Sequence, residues 1–293
     1  REIDGKAGRL SYYVAGKGHP LLLVHSINAA GSAYEVRPIF EEMAKTHRVY
    51  ALDLPGFGFS DRSDRTYTPR LYTDAIHDIV AEIAKEHSDQ PVDALAISLG
   101  AEFLARAAVE KPERFRSLAF VTPTGFSKRS GHFGRNRKSS EVPGVYAFLT
   151  FPLWSDALFG ALTSKPSIRF FLRKTFGSDD YDRGLAEYDY LTTHQPGAKY
   201  APFAFVSGRL FSSDIRDIYQ RLTVPVWVTR ATKGDFSDSS EIDWTRGRPN
   251  WTVEKFDAGA LPHFEKPETF MARYRDFLRR ASNAGRPDLT VVV

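Results

Sequence analysis

The chain of 293 residues contains no cysteine and only two methionines. The missing thiols exclude disulfide bridges, thiolate metal sites and a cysteine nucleophile, and they leave the compartment open. Long apolar runs are missing too. The longest, Val145 to Trp154, is interrupted by Thr150 and Pro152, short of the roughly 18 residues that a membrane-spanning helix needs. No leader-like profile stands at Arg1, so the cytoplasm is the favoured location and no stable membrane insertion is expected. The histidines lack close ligand spacing, and no phosphate-cradling glycine loop precedes a helix. Gly56-Phe57-Gly58 lacks the third glycine and follows Pro55, so neither a metal nor an organic cofactor is implied.

A strong charge bias is also absent. The net charge of +4 comes from the segment Phe126 to Ile218, with thirteen Lys/Arg against nine Asp/Glu. Its densest stretch, Arg135-Asn136-Arg137-Lys138, is too short for a nucleic-acid groove and reads as a solvated loop. The expected partner is a small molecule, met by a monomer or homodimer. At 42% hydrophobic and 26% charged, the composition is globular, with length for one large domain or a core plus an insertion.

Apolar strands alternate with helical spacing through the first part of the chain. Leu10–Val14, Pro20–His25, Arg48–Asp53, Val92–Leu95 and Ser117–Val121 read as strands; Val36–Lys45, Leu71–Lys85 and Ala101–Val109 read as helices. This rhythm predicts a mostly parallel sheet with right-handed crossovers. It breaks near Phe126 and resumes at Val224–Thr229, then Trp251–Phe256 and a helix over Pro267–Arg280. The intervening segment holds 17 of the 39 aromatic residues, as a satellite core or a lid over an apolar pocket would. Residues 1–125 and 219–280 are therefore expected to form the core, 126–218 a helical cap, and 281–293 a loose tail.

The run Ala96-Ile97-Ser98-Leu99-Gly100 stands at a strand-to-helix corner. Small neighbours permit a tight turn that pushes the hydroxyl of Ser98 out at the positive end of a helix. A serine hydroxyl needs a positioned base, and the base an orienting carboxylate. His263 lies in a short loop between the last strand and the last helix, where parallel sheets gather their chemistry. His25 also ends a strand and is its rival, better placed as an oxyanion-loop or structural residue. For the acid, Asp235 and Asp238 both follow the Val224–Ala231 strand, with Asp235 nearer its end. The order Ser98, Asp235, His263 is that of one architecture of serine hydrolases. Oxyanion donors, worth on the order of 3–4 kcal/mol for one, are expected from the backbone N–H groups of Leu99 and Ile27.

Asp53-Leu54-Pro55-Gly56-Phe57-Gly58-Phe59-Ser60 resembles the Asp-x-x-Gly-x-Gly-x-Ser segment of the α/β-hydrolase fold superfamily. Ser98-Leu99-Gly100 followed by Lys111–Phe115 resembles that family's nucleophile elbow, Val224-Pro225-Val226 leading to Asp235 its acid strand, and His263–Phe270 its histidine loop. The likeness runs from about Gly8 to Arg280, with 126–218 in the place of the variable helical cap. Three positions depart from the pattern: Ser26 for the glycine after His25, Ala96 for the first elbow glycine, and Pro262 before the histidine. The Ser26 departure changes how freely the oxyanion loop can take unusual backbone angles.

The resemblance implies a serine hydrolase working through an acyl-enzyme, first of all a carboxylic-ester hydrolase on a small to medium, partly apolar substrate. A serine rather than an aspartate at position 98 argues against dehalogenation and epoxide opening. The alternatives are hydrolysis of a carbon–carbon bond in a vinylogous diketone, or of a lactone, with Arg169, Arg173 and Lys174 available for a substrate carboxylate. A non-catalytic ligand receptor on the same fold is the alternative of another class.

Overall fold

The computed structural model describes residues 1–127, 139–234 and 239–284. The stretch Arg135–Lys138 and both candidate acids, Asp235 and Asp238, lie outside these residues. Eight strands form one sheet: β1 (Glu2–Gly5), β2 (Gly8–Ala15), β3 (Pro20–Val24), β4 (Arg48–Leu52), β5 (Val92–Ile97), β6 (Phe115–Val121), β7 (Val226–Ala231) and β8 (Trp251–Phe256). Their order is β1-β2-β4-β3-β5-β6-β7-β8. The hairpin β1–β2 and the β2–β4 pair are antiparallel, and every pair from β4 through β8 is parallel. Every residue of β3 and β5 is buried, as strands covered on both faces must be; the one charge in β5, Asp93, is paired with Arg116. Edge strand β8 buries only its ends, Trp251 and Phe256, and leaves the positions between them partly or fully exposed.

Helices cover both faces. On one side α2 (Pro69–Glu86) and α3 (Gly100–Glu110) bury Tyr72, Ile76 and Phe103 with Phe120 of the sheet. The other side belongs to α1 (Arg37–Met43) and the last helix, which bury Ile39, Met43, Phe270 and Tyr274 around Trp227. Helix α2 starts where Pro69 needs no N–H partner and the Thr68 hydroxyl accepts from Leu71 N–H at 3.2 Å, a side-chain cap of the usual kind. Between β6 and β7 the described residues form six inserted helices: α4 (Val145–Leu149), α5 (Ser155–Leu162), α6 (Lys165–Phe176), α7 (Arg183–Thr193), α8 (Tyr200–Val206) and α9 (Ile215–Gln220). Among the described residues no helix is long and apolar enough to cross a membrane.

The observed elements differ from the sequence reading in four places. Strand β1 was not expected, because Glu2–Gly5 carries one apolar residue and is held by pairing with β2 rather than by its own pattern. The helix expected over Val36–Lys45 divides into a 3-10 turn over Ala33–Val36 and α1, with Pro38 in the first turn of α1. His263 lies not in an open loop but in a helical turn, α10 (Pro262–Glu265), which Pro262 begins. The closing helix, α11 (Pro267–Ala284), takes in the first four residues of the expected loose tail because Phe277, Leu278 and Ala281 continue its buried face.

The junction of α3 with the sheet is tight. A Cβ at Gly100 would stand 2.5 Å from the carbonyl oxygen of His25, so only glycine lets the helix start this close to the end of β3. We expect Gly100→Ala to lower stability by about 1–3 kcal/mol, despite alanine's better helix propensity. Chemical denaturation of the two proteins measures this directly.

Candidate active site

Ser98 sits between the end of β5 and the start of α3 with φ of +49°. That left-handed backbone costs a non-glycine residue about 1–2 kcal/mol, and the surroundings hold it. Ser98 N–H donates to Val121 O at 2.9 Å, and Ser98 O accepts from Ala101 N–H at 3.1 Å. Ala96, on the strand side, is fully buried, so the alanine fits where the usual pattern has glycine.

The loop after β3 emerges beside this corner, since Val24 and Ala96 are paired neighbours in the sheet. His25 is buried and both its nitrogens are committed. Nδ1–H donates to Ser26 O at 2.5 Å, while Nε2 accepts from Leu54 N–H at 3.0 Å. Burial holds its pKa down to about 4, so the ring is a neutral structural group, as its place in the chain suggested. Peptide planarity makes this bond informative. With the Ser26 carbonyl turned to His25, the Ile27 N–H of the same peptide points the opposite way. Ile27 and Leu99 are both buried, and among the described residues neither N–H donates to a protein acceptor. Buried unpaired N–H groups are rare, and two at adjacent loop ends can serve an oxygen that a substrate brings.

His263 approaches from the far side of β6. Thr122, whose own φ is +43°, donates its hydroxyl to Ala260 O at 2.8 Å, tying the chain before His263 to the loop beside Ser98. The strand-end residues Thr232 and Lys233 donate their N–H groups to Ala258 O at 3.1 and 3.0 Å. The chain leading to Asp235 therefore runs along the histidine segment. The ring itself is turned to the core: Nε2–H donates to the backbone carbonyl of Glu35 at 2.7 Å. Nδ1 has no partner among the described residues, and no hydrogen bond joins the ring to Ser98 there. Burial holds this ring's pKa at about 4 as well, opposed by the bond to Glu35.

Two groups here carried no signal in sequence. Glu35, in the 3-10 turn, is buried and accepts from Ser26 N–H at 2.7 Å, Ser26 Oγ at 3.0 Å and Asn28 Nδ2 at 2.7 Å. Glu102, buried on α3, accepts from the Thr124 hydroxyl at 2.5 Å and Ser212 N–H at 2.9 Å, and burial pushes its pKa up to about 7. Neither was singled out in the sequence, because local spacing does not mark a carboxylate for burial. Asp53 likewise receives Ala33 N–H at 2.8 Å and Phe59 N–H at 3.0 Å, so the Gly56–Ser60 turn is architecture that braces the far end of the β3 loop. The cations Arg169, Arg173 and Lys174 of the inserted helical region stand on the exposed face of α6.

Comparison with known proteins agrees with the fold. The model of the alpha/beta hydrolase family matches residues 21–273. The chain belongs to that family. The hydrolase is 30% identical over 129 residues to the 2-hydroxymuconate semialdehyde hydrolase of Pseudomonas sp. (strain CF600), covering 43% of this chain and 44% of the relative. It is 26% identical over 220 residues to the pimeloyl-[acyl-carrier protein] methyl ester esterase of Aliivibrio salmonicida (strain LFI1238), covering 74% of this chain and 75% of the relative. In fold it matches the serine hydrolase involved in carbazole degradation (the CarC enzyme), with a TM-score of 0.74, 17% identity, and 95% and 98% of the two chains covered.

The two buried rings of this hydrolase carry their protons on opposite nitrogens, Nδ1 in His25 and Nε2 in His263. We expect nitrogen chemical shifts to report these tautomers in the free enzyme. Both rings should remain neutral from about pH 8 to about pH 5 and protonate only toward the values that burial sets.

Proposed function

We propose that this hydrolase cleaves carboxylic esters of uncharged, partly apolar substrates, with Ser98 as nucleophile. Ser98 at φ +49°, beside two buried N–H groups that have no acceptor among the described residues, is the observation that carries this reading. The Ser98 oxygen attacks the carbonyl carbon, and the charge that develops on the carbonyl oxygen is received by Ile27 and Leu99 N–H. His263 takes the hydroxyl proton and passes it to the leaving alkoxide. Water then repeats the sequence, releasing acid and restoring Ser98. For this the ring must release the Glu35 carbonyl, turn Nε2 to Ser98 and carry its proton on Nδ1, where Asp235 would receive it. Residues 126–218 act as the cap over this site.

Charge favours an ester over a dienoate carbon–carbon substrate. Relatives acting on both kinds are similar to this chain, but a carboxylate-bearing substrate needs a cation. Arg169, Arg173 and Lys174 face solvent on α6, and half-buried Arg62 donates to the backbone carbonyls of Thr192 and Gly58.

Ser98→Ala should abolish fluorophosphonate labelling and lower ester turnover by about 10³-fold or more. A protein that takes no adduct under conditions labelling a control esterase would instead be a receptor. Asp235→Asn should lower turnover sharply and Asp238→Asn should not; the reverse moves the acid to Asp238. In a panel of p-nitrophenyl esters, a lactone and a dienone acid, faster turnover of the dienone acid than of every ester sinks the ester reading.

A further inference from the structure

The loop after β3 must present one N–H in one direction, yet it carries Ser26 where a glycine is usual. Its conformation is held by Glu35. The three donor contacts described above place the Ser26 amide on Oε2 and the Ser26 hydroxyl and Asn28 amide on Oε1. Asn28 Nδ2 also donates to Ser26 Oγ at 2.9 Å, and Asn28 Oδ1 accepts from Ala30 N–H at 2.6 Å. Both residues flanking Ile27 are therefore fastened to one carboxylate. His25 restrains the Ser26–Ile27 peptide only through its carbonyl, so the carboxylate supplies the second fixed point that defines its plane.

Building on the Ser98 reading above, we propose that Glu35 is the positioning residue of the oxyanion loop, acting through Ser26 and Asn28 to aim Ile27 N–H at the substrate oxygen. Every contact on Glu35 is a donated proton, which an ionised carboxylate accepts on both oxygens. A glutamine would turn an NH2 toward one of those donors. The backbone carbonyl of the same residue holds His263 Nε2, so one residue touches both moving parts of the site. The titratable groups facing it are His263 from α10 and Asp189 from α7. Asp189 is buried, its Oδ1 has no partner among the described residues, and Glu35's charge adds to the burial that raises its pKa. Glu35 is itself pushed up by burial, against the hydrogen bonds from Ser26 and Asn28.

The test compares wild type, Glu35→Gln, Asn28→Ala and Ser98→Ala on one p-nitrophenyl ester, with thermal melting and fluorophosphonate titration counting folded sites. Glu35→Gln should lower kcat per titrated site by about 10²-fold with KM within about threefold. Asn28→Ala, at a partly exposed position, should lower kcat several-fold; it decides the matter if Glu35→Gln does not fold. Unchanged kcat per site in either folded variant, or a loss that appears in KM rather than in kcat, overturns the proposal even where melting temperature falls. Turnover that survives Ser98→Ala sinks the Ser98 reading and this proposal together. Full kcat at Glu35→Gln in an enzyme whose turnover depends on Ser98 sinks this proposal alone.

Discussion

The left-handed backbone of Ser98 is the constraint around which the carboxyl end of the sheet is built. A β5 that ended one residue earlier, or an α3 that began one turn later, would leave the serine in ordinary extended or helical geometry with its hydroxyl elsewhere. The strain is offset by bonds from Val121 and Ala101 and by the fully buried Ala96. The helix must then start against the His25 carbonyl, which requires Gly100. That close approach brings Leu99 and Ile27 to neighbouring loop ends. One backbone angle thus dictates a glycine, a helix start and the meeting of two N–H groups.

Buried carboxylates do for the surrounding loops what glycine-rich turns do elsewhere. Glu35 fastens the loop after β3, Asp53 fastens the start of the 3-10 turn and the Gly56–Ser60 turn, and Glu102 ties the loop after β6 to Ser212 of the inserted segment. Each is desolvated and offset by donated protons. The arrangement holds the loops around Ser98 in place.

Much of the fold was legible because parallel strands buried on both faces are written as unbroken apolar runs. Pro20–Val24 shows this plainly, and Ser98 follows from the small residues a tight corner needs. β1 was illegible because a hairpin edge with one apolar residue is made by its partner. The helical turn at His263 was hidden by Pro262, which begins a helix as readily as it ends one. Glu35 and Glu102 were invisible since nothing in local spacing distinguishes a buried helix carboxylate from a solvated one.

The sequence by itself determined the architecture, the chain order of the candidate nucleophile, acid and base, and the exclusion of thiol chemistry, because these depend on residue type and local pattern. Only the tertiary structure decided that Nε2 of His263 rests on Glu35, that His25 has no free nitrogen, and that Arg169, Arg173 and Lys174 face solvent. Those outcomes rest on which carbonyls, amides and helix faces meet, up to 228 positions apart in sequence for His263 and Glu35. Such meetings are set by packing and desolvation, which no local pattern encodes.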